Sequence, residues 1–263
     1  MQDAARENPV CGDVYAKLFM DAYGRRIYDE FKEQTLSNVC VIVRHRIIDD
    51  VLRNMLASSP DLCVVTIGSG FDSRPYRLAG GIWFELDEPL VMAYKNVRLP
   101  ISKCTNPLYR IPIDFCTESL EEKLSAISQP AAPVVFILEG VLIYLNENEI
   151  RKLLEVLVSL FPEHLLICDL VTREMVESYG QKLQEIATKM GSPLKAIDKP
   201  ETIFLTIDYK VKKKISILEV SVDLGINKIP KFILRYYFNK EIKGNSVYVL
   251  ESTSTQSDFA VRL

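Results

Sequence analysis

Leu62–Arg77, LCVVTIGSGFDSRPYR, is the stretch whose reading decides the fold. Leu62–Ile67 is a short, apolar and largely β-branched run, the composition of a strand buried on both faces. It stops at Gly68-Ser69-Gly70. Asp72-Ser73 then offer an N-cap, and Pro75 falls in the first turn of a helix near Arg74–Leu78. Strand, glycine turn and helix start form the βα corner with which open α/β sheets hold anions and nucleotides. The glycines let the backbone approach the ligand, and free N–H groups at the helix start face it. An ordinary tight βα turn has the same local pattern, so the reading rests on how the remaining sequence answers this corner.

Downstream the pattern alternates. Ile82–Asp87, Tyr109–Asp114, Val134–Glu139 and Leu165–Val171 read as strands, separated by helices at Leu90–Arg98, Ser119–Ile127 and Asn146–Phe161. The last of these helices has Asn146 as N-cap, Glu149 three residues on, and Ile150, Leu153, Leu154 and Leu157 on one face. Continuous apolar strands alternating with helices predict an α/β fold, a mostly parallel sheet with helices on both faces. Residues 1–60 carry no strand signal. Val14–Phe31 and Val41–Leu56 show helical spacing and read as a helical cap over the C-terminal edge of the sheet. After Thr172 the rhythm breaks: Arg173–Gly191 reads as one polar helix and Ser192–Tyr209 has no clear period. Ile215–Asp223 and Ser246–Ser252 complete seven strands, linked by a helix at Ile229–Phe238 and a turn at Lys243-Gly244-Asn245. Thr253–Leu263 reads as a frayed polar tail. The expectation is one domain: cap 1–60, core 61–172, lid insertion 173–210, and C-terminal strands with tail 211–263.

At 263 residues and 48% hydrophobic content, the chain suits one large domain with a sizeable core. A net charge of −3 leaves no basic surplus for nucleic acid. Lys210, Lys212, Lys213 and Lys214 read as a solvated loop or strand entry. The six cysteines form no CxxC pair, and Cys63 and Cys168 lie within apolar strands, the usage of a reducing compartment. Only His45 and His164 are present, neither with a ligand partner at metal spacing, so no metal site is expected. MQDAARENPV lacks the apolar core of a signal peptide. The longest apolar stretch, Ala131–Leu145, is interrupted by Glu139-Gly140 and too short to span a bilayer. These features read as a cytoplasmic protein without membrane or nucleic-acid partners.

Acidic residues recur at strand ends. Asp87 ends the second strand nineteen residues after Gly68, a spacing at which a carboxylate accepts both ribose hydroxyls of a nucleoside. Glu85, two residues earlier, shares that face as a helper. Asp114 ends the third strand, Glu139 the fourth, and Asp169 lies within the fifth. A solvated strand end accounts for any one of them, but several in one crevice need partners. An adenosine with a positively charged amino-acid tail supplies them as hydroxyls, an amine, an ammonium and a sulfonium. Its carboxylate would seek an arginine, and Arg44 and Arg46, in the helix leading into the first strand, are the candidates beside the alternative of surface charges.

In order and spacing, VTIGSGFDSRPYRL, FELDEP, PIDF and LEGVLIYL, preceded by RHRIIDD, resemble the leucine carboxyl methyltransferase family. That family includes phosphatase-directed enzymes and bacterial O-methyltransferases of polyketides and other secondary metabolites. The resemblance covers roughly residues 10–172. It implies a Rossmann-like class I methyltransferase fold with S-adenosyl-L-methionine as cofactor. Carried over by position, Arg44 pairs with the methionine carboxylate, Arg46 standing in reserve. Gly68 and Gly70 admit the methionine moiety, Asp87 holds the ribose, Asp114 and Phe115 bracket the adenine, and Glu139 faces the amino-acid end.

Methyl transfer from a sulfonium is an in-line displacement that needs a positioned acceptor oxygen and excluded water. A carboxylate acceptor is already ionised, whereas a phenol with pKa ~10 needs modest help. The sequence marks no catalytic base. His164 precedes the fifth strand, at the end away from the crevice, and reads as structural, while His45 adjoins Arg44. Tyr15 and Tyr144 are candidates to orient an acceptor, with structural roles as the alternative. The expected activity is methyl transfer to a carboxylate or hydroxyl of a small molecule. A protein C-terminus as acceptor, an NAD-type oxidoreductase and a non-catalytic cofactor-binding protein are the alternatives. Gly68, Gly70 and Asp87 would serve NAD as well, but Ser73 stands where a third glycine would.

Overall fold

The structure, a computed structural model, describes residues 3, 7–33, 35–127, 132–189, 191–199 and 201–253, with backbone alone at 23, 35 and 36. The tail read beyond Thr253 lies outside the described residues. β1 (Cys63–Ile67) and β4 (Val134–Leu138) are buried throughout, and β5 (Leu165–Val171) at all but its last residue. Strands this apolar must be covered on both faces. With β2 (Ile82–Asp87), β3 (Leu108–Pro112), β6 (Tyr209–Ser216) and β7 (Asn245–Ser252), they form one seven-stranded sheet in the order β3-β2-β1-β4-β5-β7-β6. The first five strands run parallel, while β7 is antiparallel to both neighbours. Strand order reverses between β1 and β4, the point where such sheets open a ligand crevice beyond the strand C-termini.

Alternation along β1 divides the core. Cys63, Val65 and Ile67 face one layer and Val64 the other. On Val64's side lies α2 (Thr35–Ser58), with Val43, Ile47, Ile48, Leu52 and Met55 buried against Trp83, Val135, Ile167 and Val249. The segment read as a cap therefore supplies a face layer, and its N-terminal half reaches the crevice. On the other face, α6 (Glu147–Leu160) buries Ile150, Leu154 and Leu157, each contributing roughly 1.5–3 kcal/mol. Its capping box is formed by Asn146 and Glu149. The remaining helices are α1 (Ala22–Phe31), α3 (Arg74–Arg77), α4 (Pro89–Arg98), α5 (Leu120–Ser125), α7 (Arg173–Tyr179), α8 (Gln181–Lys189), α9 (Glu201–Leu205), α10 (Ile217–Asp223), α11 (Lys231–Tyr237) and α12 (Asn239–Gly244).

Several expectations are corrected here. Val14–Phe31 is two elements, a 3₁₀ turn at Val14–Phe19 and then α1, whose Gly24 N–H is capped by Asp21. Ile215–Asp223 is not a strand: β6 ends at Ser216, whose hydroxyl caps α10 by accepting from the Glu219 N–H. The strand lies earlier, under the lysines at 210, 212, 213 and 214. β6 is the sheet edge, where lysine discourages pairing with another chain, so the charges that hid the strand suit its place. Arg173–Gly191 is two helices broken at Gly180, where a Cβ would stand 2.8 Å from the Val176 carbonyl oxygen. The turn at Lys243-Gly244-Asn245 is instead the end of α12 running into β7. β3 stops at Pro112 and β4 at Leu138, so Asp114 and Glu139 sit just past their strands.

Candidate functional site

At the tip of β1, Gly68 and Gly70 have φ of 70° and 48°, a region in which side chains are strained. A Cβ on Gly68 would come within 2.7 Å of Val141 Cγ2, whereas one on Gly70 would meet nothing within 4 Å. Gly68 is therefore required by packing, and Gly70 faces open space. The Gly70 N–H donates to Asp87 Oδ2 (2.5 Å), and the Glu88 N–H donates to Oδ1 (2.7 Å). Asp87 thus fastens the glycine turn to the end of β2, with further lone pairs left to accept. Between the glycines, the buried Ser69 Oγ has no hydrogen-bond partner, an arrangement that costs free energy unless a ligand completes it.

Asp114 and Phe115 stand one strand over, where the Ile113 N–H donates to the Asp87 carbonyl (2.9 Å). Asp114 accepts from the Cys116 N–H, and hydrogen bonds from the Thr117 side chain and that amide lower its proton affinity. The Phe115 ring is exposed. Glu85 is not part of this cluster. It is 1% exposed, and its oxygens accept from Lys95 Nζ (2.9 Å) and Arg110 Nε (2.8 Å), tying α4 and β3 beneath the sheet end. Alternation put it on Asp87's side, but at 1% exposed and paired with Lys95 and Arg110 it lies in the packing beneath the sheet end.

The tips of β4 and β5 carry an ion network. Glu139 accepts from Arg44 Nε (3.1 Å) and Arg74 Nη1 (2.7 Å). Asp169 accepts from the Gly140 N–H (2.6 Å) and Arg44 Nη1 (2.8 Å). Arg74 is 0% exposed and also bonds Asp49 (2.7 Å) and Asp72 (2.8 Å), while Arg77 reaches Asp49 (2.6 Å). Burial raises the proton affinity of Glu139, but Arg74, His45 and Arg44 more than reverse it, leaving the carboxyl well below the usual range. Asp169 goes the other way: burial lifts it, and Arg44 with the Gly140 N–H only partly compensates.

Sequence reasoning missed Arg74, Arg77 and Asp49. Ser73 occupies the N-cap position of α3 without a side-chain cap bond, and Asp72 accepts from the Arg74 N–H (2.8 Å). The available signal was Asp49, an acid inside the apolar stripe of α2 formed by Ile47, Ile48, Val51 and Leu52. Such a position needs a cation beneath it. Arg46 is engaged by Asp50 and the Val10 carbonyl. His45 has each ring nitrogen 2.8 Å from a guanidinium nitrogen, of Arg74 and of Arg77. His164 is buried with Phe161 O and Tyr209 Oη at 2.6 Å, and desolvation pushes its pKa down to about 4. Tyr15 packs on Tyr76, and Tyr144 is partly exposed.

Beside Arg44 and Asp169 lies a cavity of about 190 Å³ walled by α1, α2, α7, α8 and the end of β5. A larger cleft of about 920 Å³ runs between α6, α7 and α8 and touches neither residue. Among the described residues no group of three or more His, Cys, Asp or Glu is placed to hold a metal, and no helix is long and apolar enough to cross a membrane.

A family model described as leucine carboxyl methyltransferase matches residues 1–158. The chain belongs to that family. A relative from Frankia alni, provisionally named an S-adenosyl-L-methionine-dependent methyltransferase, is 30% identical over 58% of this chain and 58% of its own length. One from Streptomyces coelicolor with the same provisional name is 34% identical over 43% and 42%. This family member thus matches about half the length of these relatives. Among solved structures, a DUF574 family protein from Streptomyces avermitilis superposes with a TM-score of 0.62 at 10% identity, over 91% of this chain and 95% of its own. Magnesium protoporphyrin IX methyltransferase from Synechocystis, with bound S-adenosylhomocysteine, gives 0.52 at 14% identity over 91% and 99%. These two superpositions establish the Rossmann-like methyltransferase fold.

Proposed function

We infer that the protein is an S-adenosyl-L-methionine-dependent O-methyltransferase acting on a carboxylate or hydroxyl of a small molecule. The observation that carries this reading is the convergence of Asp87, the Gly70 amide and the Arg44–Glu139 pair at the tips of β2, β1 and β4. The donor set suits the cofactor. Asp87 would accept the ribose hydroxyls, as its backbone bonds leave lone pairs free. Open space in front of Gly70 and the unpartnered Ser69 Oγ suit the methionine moiety. Arg44 and Glu139 would take the carboxylate and the ammonium, and among the described residues Arg44 Nη2 has no hydrogen-bond acceptor. When bound, this cofactor supplies an electrophilic methyl group.

The chain's own residues then position and enclose. Arg74, with His45 and Arg44, holds the Glu139 carboxyl well below its ordinary range, so the amino-acid end would meet an ionised carboxylate. Arg74, pinned by Asp49 and Asp72, holds that carboxylate without side-chain motion, which lowers the reorganisation needed during transfer. A small acceptor fits the compact cavity at the β5 tip. S-adenosylhomocysteine at 100 times its Kd should stabilise the protein by about 2.7 kcal/mol in a thermal-shift assay, while NAD should leave Tm unchanged. The opposite pattern refutes the reading.

A further inference from the structure

We propose that the cavity beside Asp169 is the acceptor site, and that its occupant is a compact phenol whose hydroxyl bonds to Asp169, the group that takes its proton. This rests on the methyltransferase reading above and narrows its acceptor to one class. The size argues first. About 190 Å³ exceeds by a little the ~150 Å³ that encloses one benzene ring, so a single substituted ring fills it. The lining argues next. Val41, Ile143, Val171, Met175 and Leu183 make an apolar wall, and Arg44 and Asp169 stand at its polar end.

Charge then separates hydroxyl from carboxylate. Arg44 is the only cation among the lining residues, and its Nε and Nη1 already serve Glu139 and Asp169. In the reading above, its remaining edge belongs to the methionine carboxylate. An acceptor carboxylate would face Asp169 with no cation of its own, whereas a hydroxyl brings the proton that Asp169 can accept. Each oxygen of Asp169 holds one hydrogen bond, so a lone pair is open for that proton. Its raised proton affinity brings it closer to a phenol than an ordinary carboxylate stands. The charged groups acting on it are Arg44 from α2 and Glu139 past β4, while Cys40 from α2 and Tyr179 from α7 line the same cavity.

The step balances without further reagents. The O–H bond breaks and its proton passes to the Asp169 carboxylate. The phenolic oxygen places its electron pair on the methyl carbon as the carbon–sulfur pair withdraws to sulfur. An aryl methyl ether, a thioether and a neutral Asp169 remain, and solvent removes the proton when the product leaves.

The test uses the full chain with S-adenosyl-L-methionine and reads S-adenosylhomocysteine formed from p-cresol, 4-nitrophenol and p-toluate. Methylation of p-cresol at least 100-fold faster than p-toluate is expected. Asp169→Asn should lower kcat on p-cresol about 100-fold with KM changed only a few-fold. The loss should shrink below tenfold on 4-nitrophenol assayed where it is already ionised, a dependence that a merely structural role would not produce. Because Asp169 also anchors Gly140 and Arg44, a second variant, Val171→Phe, fills the cavity from its wall. It should abolish p-cresol turnover while S-adenosylhomocysteine binding persists. Equal losses on both phenols, preferred use of p-toluate, undiminished turnover by Val171→Phe, or no turnover of either class by protein that binds S-adenosylhomocysteine overturns the acceptor assignment and leaves the cofactor reading standing. Absence of S-adenosylhomocysteine binding overturns both.

Discussion

At the tips of β1 and β2 the polar groups around the proposed crevice are backbone amides, an orphaned hydroxyl and one carboxylate, all drawn from residues 68–88. At the tips of β4 and β5 they are charged side chains in one network, gathered from α2, α3, β5 and the loop after β4. The first half is set by local chain geometry, the second by long-range ion pairing. Within that second half the contrast repeats on a smaller scale. Glu139 and Asp169 share Arg44, yet one is driven well below the usual carboxylate range and the other is raised. Arg74 and His45 also face Glu139, whereas Asp169 has only Arg44 and the Gly140 N–H against its burial and feels the charge of Glu139 as well.

The sharpest way to break this contrast is Arg74→Met. It leaves Asp49, Asp72 and Glu139 without their common buried cation. Unfolding in urea should show a loss of about 3–5 kcal/mol, and a loss below about 1 kcal/mol would mean that the network is not what holds this half together.

A second experiment locates a titration at the other end of the sheet. His164 is held neutral with a pKa of about 4, against 6.5 unfolded. The unfolded chain therefore binds the extra proton between these values, and stability falls as pH drops from 6.5 toward 4, by about 3 kcal/mol in full. Asp49 and Glu139 are depressed instead, so their contribution is lost below the ordinary carboxylate range. His164→Gln should flatten the first window and spare the second. An unchanged slope would place the titrating group elsewhere.

The smallest expected effects separate the two glycines. Gly68→Ala meets Val141 and a positive φ, and should cost about 2 kcal/mol of stability. Gly70→Ala meets only the strain, about 1 kcal/mol, but its methyl group enters the open space proposed for the ligand. Denaturation should rank Gly68→Ala as the less stable variant, and S-adenosylhomocysteine titration should rank Gly70→Ala as the weaker binder. A reversed ranking would undo the assignment of the open space.

The same division explains what the sequence discloses. Gly68, Gly70 and Asp87 are readable because a strand, a turn and a strand end fix their meeting within twenty residues. Arg74 is not readable, because a four-residue helix with two arginines looks like a surface turn until α2 lays Asp49 over it. Alternation gives the face of Glu85 but not its depth, and only the packed sheet shows it buried against Lys95 and Arg110. Asp169 is visible as an acid within a buried strand, but its role depends on helices beyond residue 172 whose packing carries no local signal. β6 was missed because edge position, which only the assembled sheet reveals, reverses the meaning of its lysines.

Calorimetric titration of S-adenosylhomocysteine into the native chain and into Asp87→Ala tests the central claim most directly. The native chain should bind, and the variant, deprived of the carboxylate that fastens Gly70 and is proposed to accept the ribose hydroxyls, should bind about 100-fold more weakly, or about 2.7 kcal/mol. Equal affinity in the two proteins, with both folded, would contradict the crevice described here.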